Sequence, residues 1–208
     1  MGLKRLFDIV FALIALIALA PLMVVIALLI KRSSEGPALF QQKRHGLHGK
    51  PFTLLKFRTM HSNAAAMLDQ VLALNEANGP ALSIKHDPRM TPGVGAFLRR
   101  SNLDELPQLI NVLLGDMSIV GPRPHETYVV EQYLTWYRDR LLLKPGLTCT
   151  WQIEPNRHQV SFDDWMQMDV DYVATRSLLG DCRLVAKTVL MLVRPRYRHW
   201  STQSRDSS

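Results

Sequence analysis

The chain has 208 residues and a hydrophobic share of 47%, room for one sizeable domain with a real core and an appendage. Its net charge of +7 favours an anionic partner: phosphates, nucleic acid or an acidic membrane surface. The two cysteines, Cys149 and Cys182, match no zinc or redox spacing and suggest no disulfide framework, which fits a reducing, cytosolic-side location.

From Ile9 to Ile30 the chain carries no charge, and the run is long enough to cross a bilayer. Lys4 and Arg5 precede it, and Lys31 and Arg32 follow it. A cleaved signal peptide would use Ala18–Ala20 as its cleavage site, but Pro21 would then follow the cut, and the apolar run continues well past it. A single-pass anchor and a re-entrant hairpin are the other two arrangements. Pro21, near the middle, removes a backbone hydrogen bond and crowds the preceding turn. A bend there would let both basic ends stay on the cytoplasmic side, although an ordinary span also tolerates proline. The residues alone leave hairpin and span open. Asp8 lies at the lip of the run, within reach of Lys4 or Arg5.

"SSEGP" at 33–37 is a turn cluster closing this element. Ala38–Gln42 and Phe52–Phe57, separated by "HGLHGK", predict a β-hairpin. Met67–Asn75 and Ala96–Arg100 are helix candidates, and the Pro- and Gly-dense stretch between them is loop, where Asp87–Arg89 reads as a turn with a local ion pair or as a ligand contact. Leu106, Leu109, Ile110, Leu113 and Leu114 repeat with helical period, so Pro107 belongs in a first turn, Asn102 becomes the N-cap, and Gly115 ends the helix. Glu126–Leu143 predicts an amphipathic helix, 144–158 loop and strand, and Phe162–Arg176 and Asp181–Val193 two further helices. Beyond Trp200 a disordered polar tail is expected, and Leu184–Val193 with "RPRYRHW" suits either docking at an anionic membrane surface or a basic disordered tail.

The chemistry-bearing feature is "SNLDELPQL", where Asp104 and Glu105 stand side by side. First-turn acids are common because the helix dipole favours them. Here, however, Arg99 and Arg100 lie just upstream, Arg123 is pinned between prolines in "GPRP", and "KFRTM" supplies Lys56 and Arg58. Cations that hold phosphate beside carboxylates that hold a metal or attack phosphorus make a phosphate-handling site. Asp163, Asp164, Asp169 and Asp171 form an acidic face on a late helix, and one of them reaching the dyad would complete a magnesium site. His45, His48, His125 and His158 are isolated loop histidines without metal-ligand spacing. A membrane-anchored basic binding module needs only the charge and the anchor, and leaves the embedded acids and the rigid "GPRP" unexplained.

"KRLFDI…P", "GPALFQQKRHGLHGKPFTLLKFRTM", "DPRMT…G.FLRRSNLDELPQLINVLLGDMSIVGPRP" and "KPGLT…WQ" resemble the bacterial sugar transferases, the monotopic polyprenyl-phosphate phosphoglycosyl transferases. The resemblance runs from about Lys4 to about Val193, in the family's motif order. It implies an α+β, mostly helical fold: a re-entrant membrane helix-hairpin over 1–32 broken at Ala20-Pro21, then a compact cytosolic catalytic domain over 33–193 with a small β-hairpin or sheet and amphipathic interfacial helices, then a basic, aromatic and finally disordered tail over 194–208. It implies transfer of a phospho-sugar from a UDP-sugar to undecaprenyl phosphate with release of UMP, at the cytoplasmic face of the bacterial inner membrane. Asp104 falls on the family's nucleophile, Glu105 on its metal-binding partner and Asp169 on a second support for Mg2+. Arg123, Lys56, Arg58, Arg99 and Arg100 are the substrate-binding expectation. Membrane lipids are expected partners, nucleic acid is not, and a homodimer is left open. Two departures stand out: Ala20 replaces the serine that often precedes the break, and "CTWQIEPNRH" replaces a glycine-rich stretch, with Cys149 in place of a glycine.

Overall fold

A computed structural model describes residues 2–64, 66–75, 79–82, 84, 86–155 and 160–193. The tail over 194–208, with "RPRYRHW", and His158 lie outside the described residues.

The N-terminal run forms one helix, α1, over Leu3–Ser33. At 31 residues it would be about 46 Å long if straight. It is long and apolar enough to cross a membrane. The expected break at Ala20-Pro21 is not an interruption: α1 continues through Pro21. Proline costs a helix one N–H donor and frees the carbonyl four residues earlier, here that of Ile17, without ending it when the surroundings compensate.

Both ends of α1 are tied to the same domain. At its start, Arg5 donates from Nη1 to the Val112 carbonyl at 2.5 Å and from Nη2 to the Leu113 carbonyl at 2.8 Å. Those carbonyls end α4 (Gln108–Leu114), whose last turn would otherwise lack donors. Asp8 is buried, pairs with Lys4 at 2.9 Å, and accepts from Ser118 Oγ and the Ile119 N–H. At its finish, Ile26 and Ile30 pack with Phe57 and Leu98, and Arg58 donates to the carbonyls of Ser34 and Glu35. Between these ends, α1 turns an apolar side outward, with Ile14 62% and Ile17 69% exposed.

The predicted hairpin is present and longer than expected: β1 (Leu39–His45) pairs antiparallel with β2 (Pro51–Phe57). The second edge of β2 is covered by one side chain. Asn111 of α4 accepts from the Leu55 N–H at 3.0 Å and donates to the Thr53 carbonyl at 2.7 Å, pairing the edge as a third strand would. The core gathers Ala12 of α1, Leu54 of β2, Leu109 and Val112 of α4, and Met117, Ile119 and Val120.

A second sheet takes up the strand expected within 144–158 and adds one, at 118–120, that was not expected. β3 (Ser118–Val120) pairs parallel with β4 (Gly146–Thr148). Its strands are three residues long, too short to declare a period. The crossover between them departs from the expected single helix over Glu126–Leu143. It contains α5 (Thr127–Val130) and a 3-10 stretch at Thr135–Leu142. At three residues per turn, Tyr137 and Arg140 share a face, and both are buried. The remaining helices follow expectation with shifted ends: α2 (Leu68–Leu72), α3 (Val94–Ser101), α6 (Phe162–Thr175) and α7 (Leu178–Val193).

Candidate active site

Asn102 is not the N-cap of a helix over the "LPQL" segment. It is left-handed, φ 55°, caps the C-terminus of α3, and carries no side-chain cap bond. Asparagine is among the few residues that tolerate this region. The reversal it makes starts a separate 3-10 turn, Leu103–Glu105, ahead of α4. Pro107 sits at the α4 boundary with helical φ, where its missing N–H costs nothing. The turn and α4 bury both acids: Asp104 is 4% and Glu105 8% exposed.

The two neighbours have opposite surroundings. Glu105 is clamped by cations. Arg123 donates from Nη2 to Oε1 at 2.6 Å and from Nη1 to Oε2 at 3.4 Å, and Lys56 donates to Oε1 at 3.2 Å. Burial alone would raise the Glu105 carboxyl, but Arg123 and then Lys56 outweigh it and hold it well below the usual carboxylate range. Glu105 in turn keeps the buried Arg123 charged. Asp104 has no side-chain hydrogen bond or ion pair among the described residues. Burial, and then the Glu105 charge, push its carboxyl up, opposed by Lys56, Arg99 and Arg123. The site therefore pairs a fixed anion with an unengaged carboxylate whose ionised form depends on nearby cations.

Each element aims one of these groups. Lys56 lies on β2, and Asn111 locks that strand to the helix that follows Glu105. Arg123 is held through its backbone. Gly146 donates to the Pro122 carbonyl at 2.9 Å, Arg140 Nη2 to that of Arg123, and Arg44 Nη1 to that of Pro124 at 2.9 Å. Gly121 and Gly146 lie back to back; a Cβ on either would run into the other segment's backbone, so this approach requires glycine.

The remaining expected site residues divide. Arg99 contributes charge to Asp104 without a direct bond, and Arg100 is exposed beside it. Arg58 is committed to the end of α1, where it bonds the Ser34 carbonyl and hydroxyl and the Glu35 carbonyl. Asp87 and Arg89 form the local ion pair at 2.6 Å. Asp163 accepts from Tyr137, Asp164 joins the Ser161 cap, and Asp171 accepts from Gln167. Asp169 lies on α6. It is fully buried, and its Oδ2 accepts from Arg140 Nε at 3.1 Å and Nη2 at 2.5 Å. Among the described residues no group of three or more His, Cys, Asp or Glu is arranged to hold a metal.

Sequence reasoning missed Arg140, Tyr133, Arg44 and the buried state of His125. Arg140 also donates to Tyr133 Oη, which bonds His125 Nδ1 at 2.8 Å. Burial, and then Arg140, push His125 far below its ordinary value, so it is a neutral core imidazole in a loop. No local pattern marks these residues: Arg140, Tyr133 and His125 meet within the β3–β4 crossover, and Arg44 reaches Pro124 and Glu126 from β1.

The bacterial sugar transferase family model matches residues 1–195. The chain belongs to the bacterial sugar transferase family. The chain is 41% identical over 197 residues to the undecaprenyl-phosphate galactose phosphotransferase of Salmonella typhimurium, covering 92% of this chain and 40% of that protein. It is 41% identical over 199 residues to the UDP-glucose:undecaprenyl-phosphate glucose-1-phosphate transferase of Caulobacter vibrioides, covering 91% and 69%. It is 41% identical over 190 residues to the exopolysaccharide production protein ExoY of Sinorhizobium fredii, covering 89% and 83%. The chain thus spans well under half of the Salmonella protein's length and most of the Sinorhizobium protein's.

Proposed function

We propose that this sugar transferase moves a sugar 1-phosphate from a UDP-sugar to undecaprenyl phosphate, releasing UMP, as the first membrane step of a surface polysaccharide. The observation that carries the reading is the divided dyad. Asp104 is an unengaged buried carboxylate, and its neighbour Glu105 is neutralised by Arg123 and Lys56. The names of the Salmonella and Caulobacter relatives supply the acceptor, and the Caulobacter name supplies a UDP-sugar donor.

In this mechanism an Asp104 oxygen attacks the β-phosphorus of the donor. A new P–O bond forms, the bridging P–O bond to the α-phosphate breaks, and UMP leaves with that electron pair. An oxygen of the lipid phosphate then attacks the same phosphorus, and the acyl-phosphate bond breaks to return Asp104 as a carboxylate. Splitting the transfer in two gives ping-pong kinetics. Arg123 and Lys56 supply positive charge beside the diphosphate, with Arg99 at the Asp104 side. Magnesium fits the donor set at Glu105, whose Oε2 makes only one long contact, 3.4 Å, because this ion takes few carboxylates and completes its shell with phosphate and water oxygens. When bound it would neutralise charge on the diphosphate. Arg100, exposed next to Arg99, is a further cation for an anionic substrate or surface, while Arg58 stays bonded to the end of α1.

Both ends of α1 are anchored to one domain, while its outward side is apolar. A helix crossing a ~30 Å hydrocarbon core could not return both ends to the same side. This supports a shallow re-entrant α1, bent around Pro21, with the domain on the cytoplasmic face and the dyad at headgroup depth.

A donor panel tests the activity. Membranes or purified protein with undecaprenyl phosphate and a series of UDP-hexoses should release UMP with at least one donor, and Asp104→Asn should not. UMP release from no donor would contradict the reading.

A further inference from the structure

Asp169 and Arg140 form a pair that is almost wholly withdrawn from solvent, with 0% and 2% exposure, on α6 and the 3-10 stretch. A lone buried pair of this kind contributes little net stability, because desolvating both charges offsets their attraction. Its hydrogen-bond geometry suggests another use. One Arg140 guanidinium reaches Asp169 Oδ2, Tyr133 Oη and the Arg123 carbonyl together. From the opposite side Arg44, fixed by Glu126 Oε1 at 2.6 Å and Gln42 Oε1 at 2.7 Å, reaches the next carbonyl, that of Pro124. Gly146 holds the carbonyl before, that of Pro122. Three successive carbonyls of "GPRP" are thereby pinned, and the residue whose side chain stays free of this scaffold is Arg123, which grips Glu105.

We propose that Asp169, Arg140 and Arg44 are positioning residues that fix the "GPRP" backbone so that Arg123 faces the dyad, and that Asp169 serves the site through Arg140 rather than as a metal ligand. The inference deepens the proposed transfer and rests on that reading for its kinetic arm. Arg140 is the part a lysine cannot replace: a guanidinium fork serves a carboxylate, a phenol and a carbonyl in fixed directions, whereas an ammonium keeps the charge without that geometry. A misplacement near 1 Å can cost about 10²-fold in rate.

The test uses Arg140→Lys, which keeps the buried charge pair, beside Asp169→Asn. Hydrogen exchange should show lost protection at the amides of Gly121, Arg123 and His125, the residues of 121–125 that carry one, in both full-length variants, together with a 10- to 100-fold fall in kcat/KM. In an Arg123→Met background the Asp169→Asn penalty should shrink below threefold, since the group being aimed is gone, and the Mg2+ concentration giving half-maximal rate should match the parent's. Unchanged protection over 121–125 in Arg140→Lys would overturn the inference. So would an Asp169→Asn penalty that multiplies fully with Arg123→Met, or a Mg2+ requirement raised by Asp169→Asn alone. If the wild-type protein turns over no UDP-sugar, the proposed activity is what fails, and the exchange measurement still decides the scaffold.

Discussion

Asp104 and Glu105 are adjacent in sequence and opposite in electrostatic state. Burial and the Glu105 charge raise the Asp104 carboxyl, while Lys56, Arg99 and Arg123 counter them. A nucleophile must be ionised, so activity should be lost as pH falls through the raised Asp104 value. The acid limb of kcat/KM should therefore lie above the ~3.9 of an ordinary aspartate. Lys56→Met removes a cation that favours the ionised form, so it should move that limb to still higher pH; a limb that stays put or moves down would count against Asp104 as the titrating group. Arg123→Lys, which cannot bond both Glu105 oxygens, should cost about 10- to 100-fold in kcat/KM with a smaller loss of stability. At this scale the dyad and its cations Arg123 and Lys56 were legible, because acids beside cations and prolines stand out along the chain. Arg58 and Asp169 also stood out as charges, but what they bond to did not. Their partners, the end of α1 and Arg140, come from distant segments that spacing cannot pair.

Asn111 shows how an element's edge is managed by one side chain. It satisfies the Leu55 N–H and the Thr53 carbonyl on the open side of β2 and so fixes Lys56 relative to Glu105. Asn111→Leu keeps the branched outline and strands both backbone groups. The expected loss is about 2–4 kcal/mol, or roughly 5–15 °C in Tm for a chain of this size, read by thermal unfolding in detergent. A Tm within 2 °C of the parent would remove this side chain from the account. The hairpin and α6 were readable because long runs declare their period: Phe162, Met166, Asp169 and Tyr172 repeat at helical spacing and are all buried. The stretch from Glu126 to Leu143 misled. Its apolar residues fit a helix, but "TYVV" and the aromatics Tyr133 and Tyr137 are weak helix formers, and burying Tyr137 with Arg140 selects the tighter 3-10 winding. Of the short parallel pair β3–β4, a strand was expected within 144–158 and none at 118–120, where three residues declare no period.

For the molecule as a whole, α1 sets how the site would meet the proposed lipid acceptor. Residues flanking the helix at both ends should face one compartment. With Cys182→Ser as background, Gly2→Cys and Glu35→Cys should both react with an impermeant maleimide in inverted membrane vesicles, and neither in right-side-out ones. Labelling of the two from opposite sides would make α1 a span. The composition made this helix visible, but not its anchoring, which depends on Arg5, Asp8 and Arg58 finding partners far along the chain. That anchoring would bring Asp104 to the depth of the acceptor phosphate, which is what a relay through a covalent intermediate needs. The most direct measurement is the intact mass of the protein after incubation with a competent UDP-sugar in the absence of lipid acceptor. The account predicts an added sugar phosphate mapped to Asp104, discharged when undecaprenyl phosphate is supplied and missing from Asp104→Asn. Transfer that proceeds at the wild-type rate in Asp104→Asn, or an adduct mapped to another residue, would contradict it.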